Sequence, residues 1–203
     1  MNTIILGGFL GSGKTTVLMQ LARYLTEHAG RTGTPVVILE NEISKYGIDN
    51  QLLSRSNYTV ENLFAGCICC SSSAKLSESV LEIRKTYHPQ WLIVEATGLA
   101  YPENILHTIR DELHLDACII AIVDMKRWKK VSAALGQFVS SQLHSASVVL
   151  LTKSDLVTAQ VIASTRNDVF ELAPNAAIFP VCATDRQPDS FWEKVLQFTR
   201  MEV

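Results

Sequence analysis

The sequence contains 203 residues, which is enough for one domain. Its hydrophobic fraction of 47% and charged fraction of 19% are ordinary for a globular protein with a buried core. The formal net charge of -2 lacks the basic excess of nucleic-acid-binding proteins. The longest apolar runs, such as residues 117–123, are too short to span a bilayer, and residues 1–6 lack the positive charge of a secretory signal. We therefore expect a cytoplasmic protein without nucleic-acid or membrane partners.

Short apolar runs alternate with stretches of helical periodicity along the chain. The predicted strands are residues 3–8, 35–40, 58–63, 91–96, 117–124, 147–152 and 177–181, and the predicted helices are 14–28, 73–87, 102–112, 126–143, 157–172 and 190–200. This alternation predicts an α/β fold: a mostly parallel, doubly wound sheet flanked by helices. We expect residues 1–203 to form a single domain without a second, C-terminal one. Such sheets bind ligands at the carboxyl ends of their strands.

Residues 8–15 read G-F-L-G-S-G-K-T and fit the phosphate-loop pattern G-x-x-x-x-G-K-[ST]. The motif follows a predicted strand and opens a predicted helix, so backbone N–H groups and the helix N-terminus would face phosphate oxygens. Lys14 should reach the β- and γ-phosphates and act in catalysis, while the Thr15 hydroxyl coordinates Mg²⁺. The predicted phosphate-binding residues are Gly11, Ser12, Gly13, Lys14, Thr15 and Thr16.

The run W-L-I-V-E, residues 91–95, is apolar up to its last residue, the acidic Glu95. A carboxylate at the end of a buried strand beside the phosphate loop would hold Mg²⁺ through a water molecule, so we assign Glu95 to the magnesium site and to catalysis. The residues that follow are Ala-Thr-Gly98, and the Gly98 amide is expected to meet the γ-phosphate.

The base-recognition signal is T-K-S-D at residues 152–155, which fits the guanine-binding pattern [NT]-K-x-D. A carboxylate at Asp155 accepts hydrogen bonds from guanine N1–H and its N2 amine, whereas adenine offers neither donor in that arrangement. Lys153 is expected to lie over the base, and Thr152 stands where asparagine is more usual. Cys182 and Ala183, after the last strand, are expected to contact the base through backbone amides. GTP and GDP are therefore the predicted ligands.

Two further segments carry a resemblance to a known family. Residues 39–49 (L-E-N-E-I-S-K-Y-G-I-D) and 66–70 (G-C-I-C-C) resemble the CobW-like GTPases, relatives of HypB and UreG. The resemblance implies a SIMIBI-type P-loop GTPase that handles metals or supports metalloenzyme assembly, with residues 95–102 as its Walker B and switch II segment. Lys45 stands where relatives commonly have a glutamate that is a proposed metal ligand.

Three of the five cysteines lie within four residues, and we assign them to a transition-metal site. Thiolates of Cys67, Cys69 and Cys70 favour soft or borderline ions such as Zn²⁺, Co²⁺ or Cu⁺, and we predict Zn²⁺ or Co²⁺. One loop offers two comfortable ligands, so a tetrahedral site needs Glu40, Glu42, water or a second subunit. The alternative is that these cysteines are buried and their reactivity is incidental. Cys118 lies in an apolar run and is predicted to be a buried hydrophobic residue.

The cysteine loop falls between predicted switch I, residues 42–49, and switch II, so GTP binding could assemble the metal site and hydrolysis dismantle it. Glu42 is a further catalytic candidate, and slow hydrolysis is expected because no arginine stands out as a finger. The leading hypothesis is a GTP-dependent metallochaperone that serves a client metalloenzyme or corrinoid protein, with a nucleotide- or metal-dependent homodimer as a possible form. Alternatives are an assembly or protection factor with structural cysteines and a small-molecule P-loop kinase.

Overall fold

The computed structural model describes residues 1–29, 34–40, 59–62, 73–98 and 100–199. Within these ranges strands and helices alternate along the chain, apart from two strands at residues 36–40 and 59–62 between which no helix is described. The strands are β1 Asn2–Gly8, β2 Val36–Glu40, β3 Thr59–Asn62, β4 Trp91–Glu95, β5 Ala117–Asp124, β6 Val148–Thr152 and β7 Ala177–Val181. The α-helices are α1 Lys14–His28, α2 Ser73–Tyr87, α3 Pro102–His107, α4 Trp128–Leu143, α5 Ala159–Leu172 and α6 Asp189–Gln197.

The strands form one sheet in the order β3-β2-β4-β1-β5-β6-β7. Every neighbouring pair of these strands is parallel. The order reverses around β1, which pairs with β4 on one side and β5 on the other. In open parallel sheets such a reversal leaves a crevice at the carboxyl ends of the strands, and ligands bind there. The phosphate loop follows β1 at this position.

Helices cover both faces of the sheet, so the predicted doubly wound fold is confirmed. On one face, α1 and α6 pack through fully buried side chains such as Leu18, Leu21 and Trp192. On the other face, α2 to α5 contribute residues such as Val80 and Ile105 to a second core. None of the helices in the described ranges has the length and apolar character that crossing a bilayer requires.

Most predicted boundaries agree with the structure to within two residues, and the departures have local causes. The helix predicted from residue 126 begins at Trp128, because the Asp124 carboxylate accepts the backbone N–H groups of Lys126 and Arg127 and holds them in a turn. The helix predicted from residue 157 begins later because Thr158 caps it, accepting from the N–H of Val161. The helix predicted over 102–112 changes after α3 into a π-helical turn, Thr108–Glu112.

Cys118 is enclosed in β5 with 0% exposure. Burial raises the pKa of its thiol to about 12, although the charge of Arg110 opposes the shift. The thiolate is the form that binds metals and reacts, so this cysteine is inert at neutral pH. The prediction of a small buried hydrophobic residue is confirmed.

Candidate functional site

The phosphate loop connects β1 to α1 through three glycines that have positive φ. Gly8, Gly11 and Gly13 have φ angles of 137°, 71° and 96°, which side chains with a Cβ rarely adopt. The loop ends at the N-terminus of α1, where N–H groups and the helix dipole favour an anion. Lys14 is only 6% exposed, and its Nζ donates to the backbone oxygen of Phe9 at 3.3 Å. The predicted phosphate-binding residues therefore share one concave turn.

The predicted magnesium ligands lie next to each other. The hydroxyl of Thr15, in the first turn of α1, donates to Glu95 Oε1 at 3.2 Å. Mg²⁺ keeps several of its waters in protein sites, so a carboxylate this close to the hydroxyl can hold the ion through one of them. A hydroxyl and a carboxylate are also the oxygen ligands that Mg²⁺ prefers. Spacing and donor type both fit this ion.

Gly98 lies against the phosphate loop, as its predicted contact with the γ-phosphate requires. It is buried, and a Cβ at this position would come within 2.8 Å of the Leu10 nitrogen. Any side chain would push switch II and the loop apart. Glycine is therefore needed here for close approach of two backbone segments.

Thr152 joins the end of β6 to the phosphate loop. Its hydroxyl donates to the backbone oxygen of Ser12 at 2.7 Å and lies 3.1 Å from that of Val123. The residue has 0% exposure, so its side chain positions the strand end beneath the loop. A threonine fits this enclosed position because its hydroxyl reaches the loop directly.

Lys153 has the left-handed backbone conformation, with φ at 64°. A lysine rarely adopts this conformation, and such residues cluster at functional sites. Its Nζ donates to Asp124 Oδ2 at 2.7 Å and to the backbone oxygen of Gly11 at 3.3 Å. Asp155 follows in a short 3₁₀ turn, Ser154–Leu156, and is exposed. Lys153 thus lies against the phosphate loop, and Asp155, the predicted base acceptor, follows two residues later.

The loop after β7 is fixed to α1 by two glutamines that the sequence analysis missed. Gln20 Nε2 donates to the backbone oxygens of Ala183 at 2.6 Å and Asp185 at 3.0 Å. Gln187 donates its N–H to Gln20 Oε1 at 2.9 Å and its side-chain amide to the Cys182 oxygen at 2.8 Å. Cys182 and Ala183 are therefore held beside α1, and their contact with the base stays a prediction.

A groove of about 370 Å³ runs between α1 and this loop. Its lining residues are Thr15, Thr16, Met19, Gln20, Arg23, Ala183, Thr184 and Arg186. The groove adjoins the phosphate loop, and neither Lys153 nor Asp155 is among its lining residues.

Asp124 and Arg127 are further site residues that the sequence analysis missed. Asp124 ends β5, and its side chain is 5% exposed. Burial alone would raise the pKa of Asp124, but hydrogen bonds and charges from Lys153 and Arg127 outweigh burial and hold the pKa below its ordinary value. An acidic residue closing a buried strand is the signal that identified Glu95, and it was available here as well.

The residues predicted for the transition metal are only partly within the described chain. Cys67, Cys69, Cys70 and Glu42 lie outside the described residues. Glu40 ends β2 and is the register partner of Glu95 in β4. In the ranges that the structure describes, no group of three or more His, Cys, Asp or Glu side chains could hold a metal ion.

The fold and this site together define a P-loop nucleotide-binding protein of the GTPase class. Residues 2–180 match the family described as CobW/HypB/UreG, nucleotide-binding domain, and the chain belongs to it. The resemblance seen in the motifs is thereby confirmed.

Individual relatives agree with the family match. The chain is 31% identical over 164 residues to the zinc chaperone YjiA of Escherichia coli, covering 75% of this chain and 49% of YjiA. It is 24% identical to the zinc-regulated GTPase metalloprotein activator 1 of Dictyostelium discoideum, covering 86% of this chain and 44% of that relative. The chain thus spans about half the length of these relatives. The fold is similar to that of the hydrogenase maturation factor HypB from Archaeoglobus fulgidus, with a TM-score of 0.68 and 17% identity over 97% of this chain and 89% of HypB.

Proposed function

We propose that this protein is a GTP-dependent metallochaperone or metal-insertion factor, which hydrolyses GTP slowly and carries a divalent transition metal. The observation that carries the proposal is the contact of Thr15 with Glu95, the register partner of Glu40. One edge of the sheet thereby brings together the phosphate loop, the start of switch II and the strand that leads into switch I. A nucleotide bound there would act on both segments that flank the cysteine loop.

For hydrolysis, Lys14 neutralises charge on the β- and γ-phosphates, and the loop amides with the α1 N-terminus hold the phosphate oxygens. Mg²⁺ held by Thr15 and Glu95 supplies further charge neutralisation when bound. Gly98 brings switch II close enough to respond to a γ-phosphate. Glu42 is our candidate for orienting the attacking water.

The preference for guanine rests on Asp155 and the loop beside it. The exposed carboxylate accepts from guanine N1–H and N2, and Lys153 covers the base plane. The backbone around Cys182 and Ala183, held by Gln187 and Gln20, closes the other side of the base. Adenine would leave the carboxylate without a donor, which is the stronger form of discrimination.

The cargo is assigned to Cys67, Cys69 and Cys70, with Glu40 or Glu42 completing the ligand set. Thiolate ligands suit Zn²⁺ or Co²⁺, and zinc appears in the names of both relatives described above. An incomplete site of two or three thiolates favours transfer over permanent binding. The recipient would be a client metalloenzyme or a corrinoid protein in the cytoplasm, and a homodimer could complete the ligand set.

Nucleotide binding and metal content test this proposal together. The purified protein should bind a fluorescent GTP analogue more tightly than the matching ATP analogue, and it should contain about one equivalent of Zn²⁺ or Co²⁺ when isolated with a non-hydrolysable GTP analogue. A protein that binds GTP but retains no metal in any nucleotide state would favour the alternative, an assembly factor with structural cysteines. Transfer of phosphate to a small molecule in place of water would favour a kinase.

A further inference from the structure

Two cations share one buried carboxylate at the rim of the phosphate loop. Asp124 Oδ2 accepts from Arg127 Nε and from Lys153 Nζ, each at 2.7 Å. Its other oxygen accepts the N–H groups of Lys126 and Arg127 at 3.0 and 3.3 Å. The carboxylate is therefore fully engaged and fixes both cationic side chains.

Each cation also binds a carbonyl of the phosphate loop, and the two carbonyls are consecutive. Arg127 Nη2 donates to the Leu10 oxygen at 2.6 Å, and Lys153 Nζ donates to the Gly11 oxygen at 3.3 Å. Arg127 Nη2 would lie 3.1 Å from a Cβ placed on Gly11. Residues that follow β5 and β6 thus hold the outer turn of the loop through its backbone carbonyls.

The side chains of this turn offer little packing to hold it in place. Leu10 is 72% exposed, and Gly11 is also exposed. The Ser12 N–H donates to the Phe9 oxygen at 3.1 Å and closes the turn. The conformation of the turn therefore depends on backbone hydrogen bonds, and charged donors form the stronger kind.

We propose that Arg127 is a positioning residue for nucleotide binding: together with Lys153, it holds the phosphate loop through Asp124 and couples the base site to the phosphate site. The proposal rests on nucleotide binding at the proposed site. A peptide C=O and its N–H point in opposite directions, so fixing the Leu10 oxygen toward Arg127 aims the Gly11 N–H away from it, toward the phosphate. Lys153, which covers the base, would transmit a change at Arg127 through the shared carboxylate.

The test compares Arg127→Gln, Arg127→Lys and the control Lys130→Ala, which removes an exposed cation from the first turn of α4. Dissociation constants for GDP and GTP are measured by displacement of a fluorescent analogue, and thermal unfolding is measured without nucleotide. Arg127→Gln should raise both constants at least about tenfold, because a charge-assisted hydrogen bond to the loop is lost. Arg127→Lys should recover only part of the affinity, and Lys130→Ala should bind normally.

A double-mutant cycle tests the coupling. The losses of nucleotide affinity caused by Arg127→Gln and by Lys153→Ala should be non-additive, because both side chains act through Asp124. Constants within about twofold of the unmodified protein for Arg127→Gln, full recovery by Arg127→Lys, or strictly additive losses would overturn the proposal. A loss of nucleotide affinity accompanied by an equal loss of stability of the protein without nucleotide would also overturn the proposal. Repeating the measurements with ADP separates the two proposals, since a preference for ADP would overturn guanine specificity and leave the dependence on Arg127 measurable.

Discussion

The Thr152 hydroxyl lies 2.7 Å from the backbone oxygen of Ser12, and both residues are enclosed, with exposures of 0% and 1%. This hydrogen bond links the end of β6 to the phosphate loop. The turn that should recognise the base is thus attached to the loop that should bind the phosphates.

Thr152→Val should remove this hydrogen bond while preserving side-chain volume. A buried carbonyl left without its donor typically costs about 1–3 kcal/mol, so the free energy of unfolding in urea should fall by that amount. Thr152→Ser keeps the hydroxyl and is the matched control, with a smaller loss. Equal stability of the valine variant and the unmodified protein would mean that the bond contributes nothing.

Asp155→Asn should reduce guanine affinity by at least ~2 kcal/mol, because the side-chain amide donates where N1–H and N2 also donate. XTP carries an oxygen at C2 in place of the amine, so it should bind the variant better than the unmodified protein. Both effects are measured by competition against a fluorescent nucleotide. Unmodified protein that binds ATP and GTP equally would refute the guanine assignment and leave the phosphate site unaffected.

Lys14→Ala should slow GTP hydrolysis by at least about 100-fold, because no other cation of the phosphate loop can neutralise charge on the transferred phosphate. Phosphate release under single-turnover conditions measures the rate. Lys85→Ala, an exposed lysine at the end of α2, should hydrolyse normally. A Lys14 variant with ordinary turnover would show that the catalytic site lies elsewhere.

The phosphate loop and its elements could be predicted from the sequence because their signals are local. We predicted three elements with the boundaries that the structure has: β5 from its apolar run, and α1 and α2 from their helical periodicity. The T-K-S-D turn and Glu95 were found because each follows such a run.

The contacts among the segments could not be predicted in the same way. Asp124, Arg127 and Lys153 come together at the phosphate loop only because β5 lies next to β1, and β6 next to β5, in the folded sheet. Gln20 reaches the loop after β7 from 163 positions earlier in the chain. Hydrophobic periodicity in the sequence does not indicate such pairings, because they depend on the order of the strands in the sheet.

The stability of the protein should fall in acid partly through Asp124. Its folded-state pKa is depressed, because hydrogen bonds and charges from Lys153 and Arg127 outweigh the effect of burial. The carboxylate therefore contributes full stability above the ordinary aspartate pKa of 3.8, and this contribution is lost as the pH falls below 3.8 and through the folded value.

Urea unfolding of the unmodified protein and of Asp124→Asn, measured between pH 7 and pH 3, tests this prediction. The difference in the free energy of unfolding should be constant near neutrality and shrink in acid. A difference that does not change with pH would show that Asp124 has the same pKa in the folded and unfolded states.

The central claim is that nucleotide and metal binding are coupled, and a competitive Zn²⁺ titration tests it most directly. The protein is titrated against a chromophoric chelator with Mg²⁺ and a non-hydrolysable GTP analogue, with GDP, or without nucleotide. Zn²⁺ should bind about 5- to 150-fold more tightly in the GTP-analogue state, and zinc should tighten binding of the GTP analogue by the same factor. A variant with Cys67, Cys69 and Cys70 changed to serine should lose the metal and keep the nucleotide. Identical zinc affinity in all three states would contradict the metallochaperone cycle.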